Sequence, residues 1–151
     1  MGKMNVPRII LGGVVAGILC FIGDGVVHGV LLRERWGQVM ANLGRKTFEE
    51  QPVHMLYYAA YDLAKALVGV WLYAAIRPRF GPGPRTAAIA ALVTWALVIP
   101  IALLGLIPSA FFGRWFALLW SIDGLGVMLI AIVFGAWLYR EDDAAPAPAK
   151  T

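Results

Sequence analysis

Residues 54–73 have the sequence HMLYYAAYDLAKALVGVWLY, and this stretch decides the fold of the chain. It is long and apolar enough to cross a lipid bilayer, yet it carries Asp62 and Lys65 near its middle. At the helical spacing of about 100° per residue, its polar and aromatic side chains share one face. That face comprises His54, Tyr57, Tyr58, Tyr61, Asp62, Lys65, Gly69 and Tyr73. We therefore expect one side of the helix to meet protein or water, and the opposite side, including Leu63, Leu67 and Val70, to meet lipid.

The composition agrees with a membrane protein. Hydrophobic residues make up 60% of the 151 residues, and 15% are charged, whereas soluble domains have roughly 45–50% apolar and 25% charged residues. The net charge of +4 is small, and its basic residues lie mainly between apolar runs. This pattern sets membrane orientation and does not form a nucleic-acid-binding stripe. The sequence therefore predicts the lipid bilayer as a partner and no nucleic acid.

Four apolar segments follow one another along the chain. They cover residues 9–32, 53–76, 86–108 and 115–139. About 20 residues suffice to cross the hydrocarbon core, and a spanning segment must be helical because no water is present to satisfy its backbone. The sequence thus predicts an all-α fold, a four-helix transmembrane bundle over residues 1–140. Residues 141–151, rich in Ala and Pro, are predicted to be a disordered tail.

The spans differ in how they are expected to pack. In the first span, Gly13 and Gly17 form a GxxxG pair, which allows close approach of helix backbones. The third span has no ionisable residue, so we expect it at the outside of the bundle, with a kink at Pro100.

The segments between the spans carry two further signals. In residues 33–51, apolar residues at helical spacing, among them Trp36 and Met40, favour a short helix lying in the membrane interface, although a solvated connector also fits. Residues 77–85 form a basic turn with three prolines. The distribution of basic residues favours cytoplasmic N- and C-termini.

Ionisable residues inside the spans form the candidate site. Asp24, Asp62 and Asp123 each lie eight or nine residues from the same end of the predicted bundle, a depth of roughly 12–14 Å. Lys65 lies one turn deeper, and Tyr58 lies one turn before Asp62, where it can donate a hydrogen bond. Charged groups at such depth are costly and should face inward and pair. We therefore predict an intramembrane polar cluster of these five residues.

Two functions fit this cluster. In the first, it is a structural latch in an accessory or scaffolding membrane protein that works as a homo-oligomer or as a subunit of a larger complex. In the second, it serves a small proton- or cation-coupled transporter or channel. The sequence contains no catalytic triad pattern and no paired metal-ligand motif, so we predict neither an enzyme nor a metal site.

The two histidines suggest a minor alternative. His28 and His54 lie near the same end of adjacent spans, where two imidazoles can ligate a haem or chlorin. This hypothesis rests on residue type alone, and no cofactor is favoured.

Residues 70–84, VWLYAAIRPRFGPGP, and 135–141, GAWLYRE, resemble a signature of small bacterial four-span integral membrane proteins of unassigned function. The opening ILGG at residues 10–13 is similar to that group as well. The resemblance implies a bacterial inner-membrane protein, and it supplies no activity, ligand or site residue.

Overall fold

The computed structural model describes residues 4–46 and 53–140, which are mainly α-helical and include no β-strand. Four stretches are long and apolar enough to cross a membrane. They are Val6–Leu31, His54–Phe80, Pro84–Ser109 and Arg114–Trp137. The predicted all-α four-helix bundle is therefore confirmed. The tail predicted at residues 141–151 lies outside the described residues.

The first stretch consists of an α-helix and a π-helical turn, and a second α-helix follows it along the chain. Helix α1 (Val6–Val26) begins at Asn5, whose side chain accepts a hydrogen bond from the backbone amide of Arg8. A π-helical turn (Val27–Leu31) continues α1, and helix α2 (Arg33–Asn42) follows it directly. A π-helical turn widens the helix and often marks a functional position. The helix predicted between residues 33 and 51 is thus present as α2.

The second stretch is a single helix, α3 (His54–Phe80), which continues through Pro78 and ends at Gly81. A proline in the last turn costs few backbone hydrogen bonds, and the basic Arg77 and Arg79 favour a helix C-terminus. The helix therefore extends one turn beyond the predicted end at residue 76. Gly81 has a φ of 82°, which suits glycine and reverses the chain.

The third stretch is broken where a kink is predicted. Helix α4 (Pro84–Val98) ends before Pro100, and helix α5 (Pro100–Leu106) begins there, followed by a short 3₁₀ turn (Ile107–Ser109). The predicted outside position is not observed, because α4 packs against both α3 and α6 and the span is 33% buried, as are the first and fourth. The buried face of α4 consists of small side chains, among them Ala87, Ala90 and Ala91, which pack against the neighbouring helices. The prediction was wrong because it assumed that a span without charged residues faces lipid. Alanine side chains pack closely against neighbouring helices without any charged contact.

The fourth stretch is helix α6 (Arg114–Trp137), and it completes the bundle. Helices α1 and α4 each pack mainly on α3 and α6, so α1 and α4 lie diagonally opposite each other. Helices α3 and α6 also touch across the centre of the bundle.

Glycines bring the helices together within one chain. A Cβ atom on Gly17 would lie 2.9 Å from Leu63 Cα, and one on Gly135 would lie 2.5 Å from the carbonyl oxygen of Gly12. Gly13 packs against Leu67 in the same way as Gly17 against Leu63. The GxxxG face of α1 is therefore covered by α3 of the same molecule.

The face of α3 predicted to meet lipid is partly a packing face. Leu63 and Leu67 contact the glycines of α1, and Val70 is fully buried beside Gly12 and Gly135. Helical periodicity separates polar from apolar faces, but it does not tell lipid from a glycine-lined groove, since both accept aliphatic side chains.

Candidate functional site

Lys65 joins helices α1 and α3 through two carboxylates. Its Nζ lies 2.5 Å from Asp24 Oδ2 on α1 and 2.8 Å from Asp62 Oδ1 on its own helix. The side chains of Lys65 and Asp62 are 2% and 3% exposed, and that of Asp24 is 17% exposed. We call these three residues the Lys65 cluster. Because charges are costly in the membrane unless paired, this geometry accounts for how they are tolerated there.

The Lys65 cluster has more acceptors than donors. One ammonium faces two carboxylates, and Asp24 Oδ1 is buried without accepting a hydrogen bond from any described residue. With all three groups ionised, the cluster carries one negative charge. Surplus negative charge in a site of low dielectric attracts a proton, a cation or a hydrogen-bond donor.

Asp123 lies apart from the Lys65 cluster. Its carboxylate, on α6, faces His28, with Oδ2 3.6 Å from His28 Nε2. Neither Asp123 oxygen accepts a hydrogen bond from the described part of the chain. Counting residues along a span gives the depth of a side chain but not the direction in which it points around the helix, so the predicted single layer is divided in two.

His28 is held by Trp36 from the other side. The indole Nε1 of Trp36 donates a hydrogen bond of 3.1 Å to His28 Nδ1. Because an indole can only donate, His28 Nδ1 must be unprotonated, and the ring proton of the neutral imidazole lies on Nε2, facing Asp123. This contact is absent from the sequence-based prediction. The eight-residue spacing, about two turns along a nearly continuous helix, was the available signal.

Aromatic rings surround the His28–Trp36 pair. Trp36 meets Phe116 and Trp120 of α6 edge to face, with ring centroids 4.8 and 5.3 Å apart, and Trp120 also lies 5.6 Å from the ring of His28. Such pairs stabilise by about 0.5–1.5 kcal/mol each beyond their burial. The apolar side of α2 is therefore anchored to α6 through Trp36.

A cleft of about 1190 Å³ opens between these elements. The Lys65 cluster lies at its inner end, and its wall includes His28, Trp36, Trp120 and tyrosines of α3. The tyrosines are Tyr57, Tyr58 and Tyr61. Asp123 does not line the cleft, and neither does His54, so the structure does not place the two histidines on one cavity.

Two tyrosines of α3, Tyr58 and Tyr61, line the cleft that leads to the Lys65 cluster. Tyr58 lines the cleft and is 41% exposed. Tyr61 places its ring centroid 5.1 Å from Lys65 Nζ, and its hydroxyl donates to the carbonyl oxygen of Val98, at the break between α4 and α5. Tyr61 thus connects the cluster to the broken third span.

The opposite end of the bundle is closed. The rings of Tyr73 and Tyr139 meet edge to face with centroids 6.0 Å apart, and the hydroxyl of Tyr139 accepts from the backbone amide of Asn5. Between this end and the cleft, Gly12 and Gly135 bring α1 and α6 into backbone contact. The cleft therefore ends at the Lys65 cluster and does not continue through the bundle.

Among the described residues, no group of three or more His, Cys, Asp or Glu side chains is arranged to hold a metal ion. Neither family models nor curated proteins nor solved structures provide a match for this chain. Its function is therefore inferred from the cleft and its charged groups.

Proposed function

We propose that this chain is a small carrier of the bacterial inner membrane, which exchanges a proton or a cation at the Lys65 cluster. The observation that carries the proposal is the position of the cluster, at the inner end of a cleft of about 1190 Å³. A purely structural ion pair has no need of a cleft leading to it, whereas a site that exchanges a solute must be reached from one side. Intramembrane ionisable residues commonly serve such paths.

The closed half of the bundle favours a carrier over an open channel. The contact between Gly12 and Gly135 and the Tyr73–Tyr139 pair fill the half beyond the cluster. A solute can leave on the far side only after these helices move apart, as in transport by alternating access. We propose transport rather than catalysis for this site.

The orientation belongs to the same proposal. Basic residues are denser in the turn between α3 and α4 than in the other loops, which favours that end in the cytoplasm together with both termini. The cleft then opens toward the periplasm. The resemblance to small bacterial four-span proteins is consistent with an inner-membrane location.

A flux measurement tests the carrier. Proteoliposomes with an internal pH-sensitive dye are given gradients of protons, Na⁺ or K⁺, and the wild type is compared with Asp24→Asn/Asp62→Asn/Lys65→Met, which neutralises the cluster without leaving an unpaired charge. Asp123→Asn, which removes a carboxylate that does not line the cleft, is the control. We expect flux in the wild type and the control and none in the triple variant. Wild-type flux equal to that of empty liposomes under all three gradients would overturn the proposal.

A scaffolding role is the second candidate, and one observation favours it. Lys65 ties α1 to α3 through Asp24, which is the geometry of a latch. In this role the bundle would assemble through its lipid-facing surfaces as a homo-oligomer or as a subunit of a larger complex. The glycine face of α1 would not serve for assembly, because Leu63 and Leu67 already cover it. Absence of flux, together with a particle larger than a monomer in detergent by light scattering, would favour this role.

A further inference from the structure

The cleft leading to the Lys65 cluster has the chemistry of a site for one class of solute. Among the described residues, the charges that line it are those of Asp24, Asp62 and Lys65 at the inner end, and of Arg33 and Glu34 at the rim. The two rim charges cancel, and the cluster keeps one negative charge. The cleft is therefore complementary to a monocation.

The walls exclude a small inorganic cation as the best fit. Metal ions of that kind prefer several oxygen ligands around one point, whereas the inner end offers two carboxylates that already hold an ammonium at 2.5 and 2.8 Å. The cleft of about 1190 Å³ also exceeds what an ion needs and slightly exceeds the roughly 300–1,000 Å³ of typical small-molecule pockets. An organic molecule fills such a space better than an ion does.

Aromatic rings in the wall favour an organic cation. Trp36, Trp120, Tyr57, Tyr58 and Tyr61 all line the cleft. Aromatic faces attract ammonium groups, and the attraction grows where water is excluded. Tyr61 already makes this contact with the ammonium of Lys65, at 5.1 Å from the ring centroid.

We propose that the cleft binds a hydrophobic organic monocation, with its positive charge directed to Asp24 and its apolar groups against the aromatic wall. Asp24 is the contact at the inner end because its side chain is 17% exposed, whereas those of Asp62 and Lys65 are 3% and 2% exposed. The proposal rests on the carrier function in that it names the solute of the same cleft.

Calorimetric titration of the full chain in detergent tests the charge preference. The probe is tetraphenylphosphonium, and tetraphenylborate is its anion of matched shape. We expect saturable binding of the cation and none of the anion beyond that of empty micelles. Equal binding of both ions, or binding of neither, would overturn the proposal.

Two matched pairs of variants locate the site. Asp24→Asn removes a charge that lines the cleft, and Asp123→Asn removes one at a similar depth that does not line it. We expect the affinity for the cation to fall about tenfold in the first and little in the second. Tyr57 is 72% exposed, so its replacement spares the fold. Tyr57→Leu should weaken binding and Tyr57→Phe should preserve it. Equal effects within either pair would contradict the assignment.

The binding and flux measurements test the solute class and the carrier function separately. Cation binding without flux under any gradient would overturn the carrier function and leave the binding site in place. Flux that depends on the Lys65 cluster, without cation binding, would overturn the solute class and leave the carrier.

Discussion

Trp36 fixes the tautomer of His28, because the indole Nε1 donates to His28 Nδ1 at 3.1 Å and leaves Nε2 facing Asp123. The bond joins helix α2 to the end of the first span. It also links the aromatic wall of the cleft, through His28, to Asp123, a third intramembrane carboxylate that lies outside the Lys65 cluster. A helix that the sequence predicts to lie in the membrane interface is therefore part of the site.

The tautomer can be observed directly. The chain has two histidines, so ¹⁵N imidazole spectra of the wild type and of His54→Gln assign the His28 signal. We expect neutral His28 with its proton on Nε2. Trp36→Phe keeps an aromatic ring but removes the donor, and should cost about 0.5–1.5 kcal/mol of stability and mix the tautomers. An Nδ1-protonated His28 in the wild type would rule out the hydrogen bond.

The Lys65 cluster predicts an order of stabilities. Lys65→Met leaves two adjacent buried carboxylates without a cation and should cost about 3–5 kcal/mol. Asp62→Asn leaves Lys65 paired with Asp24 and should cost about 1 kcal/mol. Denaturant titration in mixed micelles measures both, and Asp24→Asn/Asp62→Asn/Lys65→Met should regain most of the loss. An Asp62→Asn variant as unstable as Lys65→Met would show that Asp24 does not hold Lys65.

Packing of α1 on α3 is tested by two glycines of α1. A Cβ atom at position 17 would lie 2.9 Å from Leu63 Cα, so Gly17→Ala should force the helices apart and cost about 1–3 kcal/mol. A methyl group added at Gly25 would have no neighbour within 4 Å, so Gly25→Ala should be neutral or stabilising by up to about 1 kcal/mol. Thermal unfolding in detergent compares the two. Equal midpoints would contradict the close contact.

Topology follows from labelling of two positions at opposite ends of the bundle. In a Cys20→Ala background, Gln38→Cys lies on α2, beside the cleft, and Arg79→Cys lies at the end of α3. We expect an impermeant thiol reagent added from the periplasm to label position 38 and spare position 79. The reverse pattern would invert the proposed orientation.

The sequence predicts the helices better than the contacts between them. Length and hydropathy suffice for an all-α bundle, and Pro100 marks the break in the third span, because each depends on local chemistry. The direction in which a side chain points around its helix depends on neighbouring helices. Periodicity therefore places Val70 against lipid, although this side chain fills the groove beside Gly12 and Gly135.

At the candidate site, the depth of a side chain is predictable from the sequence, whereas its contacts are not. Counting residues predicts that Asp24 and Asp62 lie at one depth with Lys65 one turn deeper, and the structure brings these three side chains together. Counting residues cannot predict that Asp123 faces His28, because this contact depends on how α6 is rotated against α1. The cleft is lined by residues of several helices, so the sequence of any one segment cannot predict it.

The backbone contact between Gly12 and Gly135 has an electrical consequence. When water fills the cleft, the membrane potential falls mainly across the dry half of the bundle that these glycines close. A cation at the Lys65 cluster then senses almost none of the potential, and a cation passing the glycines crosses nearly all of it. Each elementary charge moved across that short distance exchanges about 2.3 kcal/mol per 100 mV with the membrane. In the proposed carrier, the two glycines therefore lie where a membrane voltage drives or opposes transport.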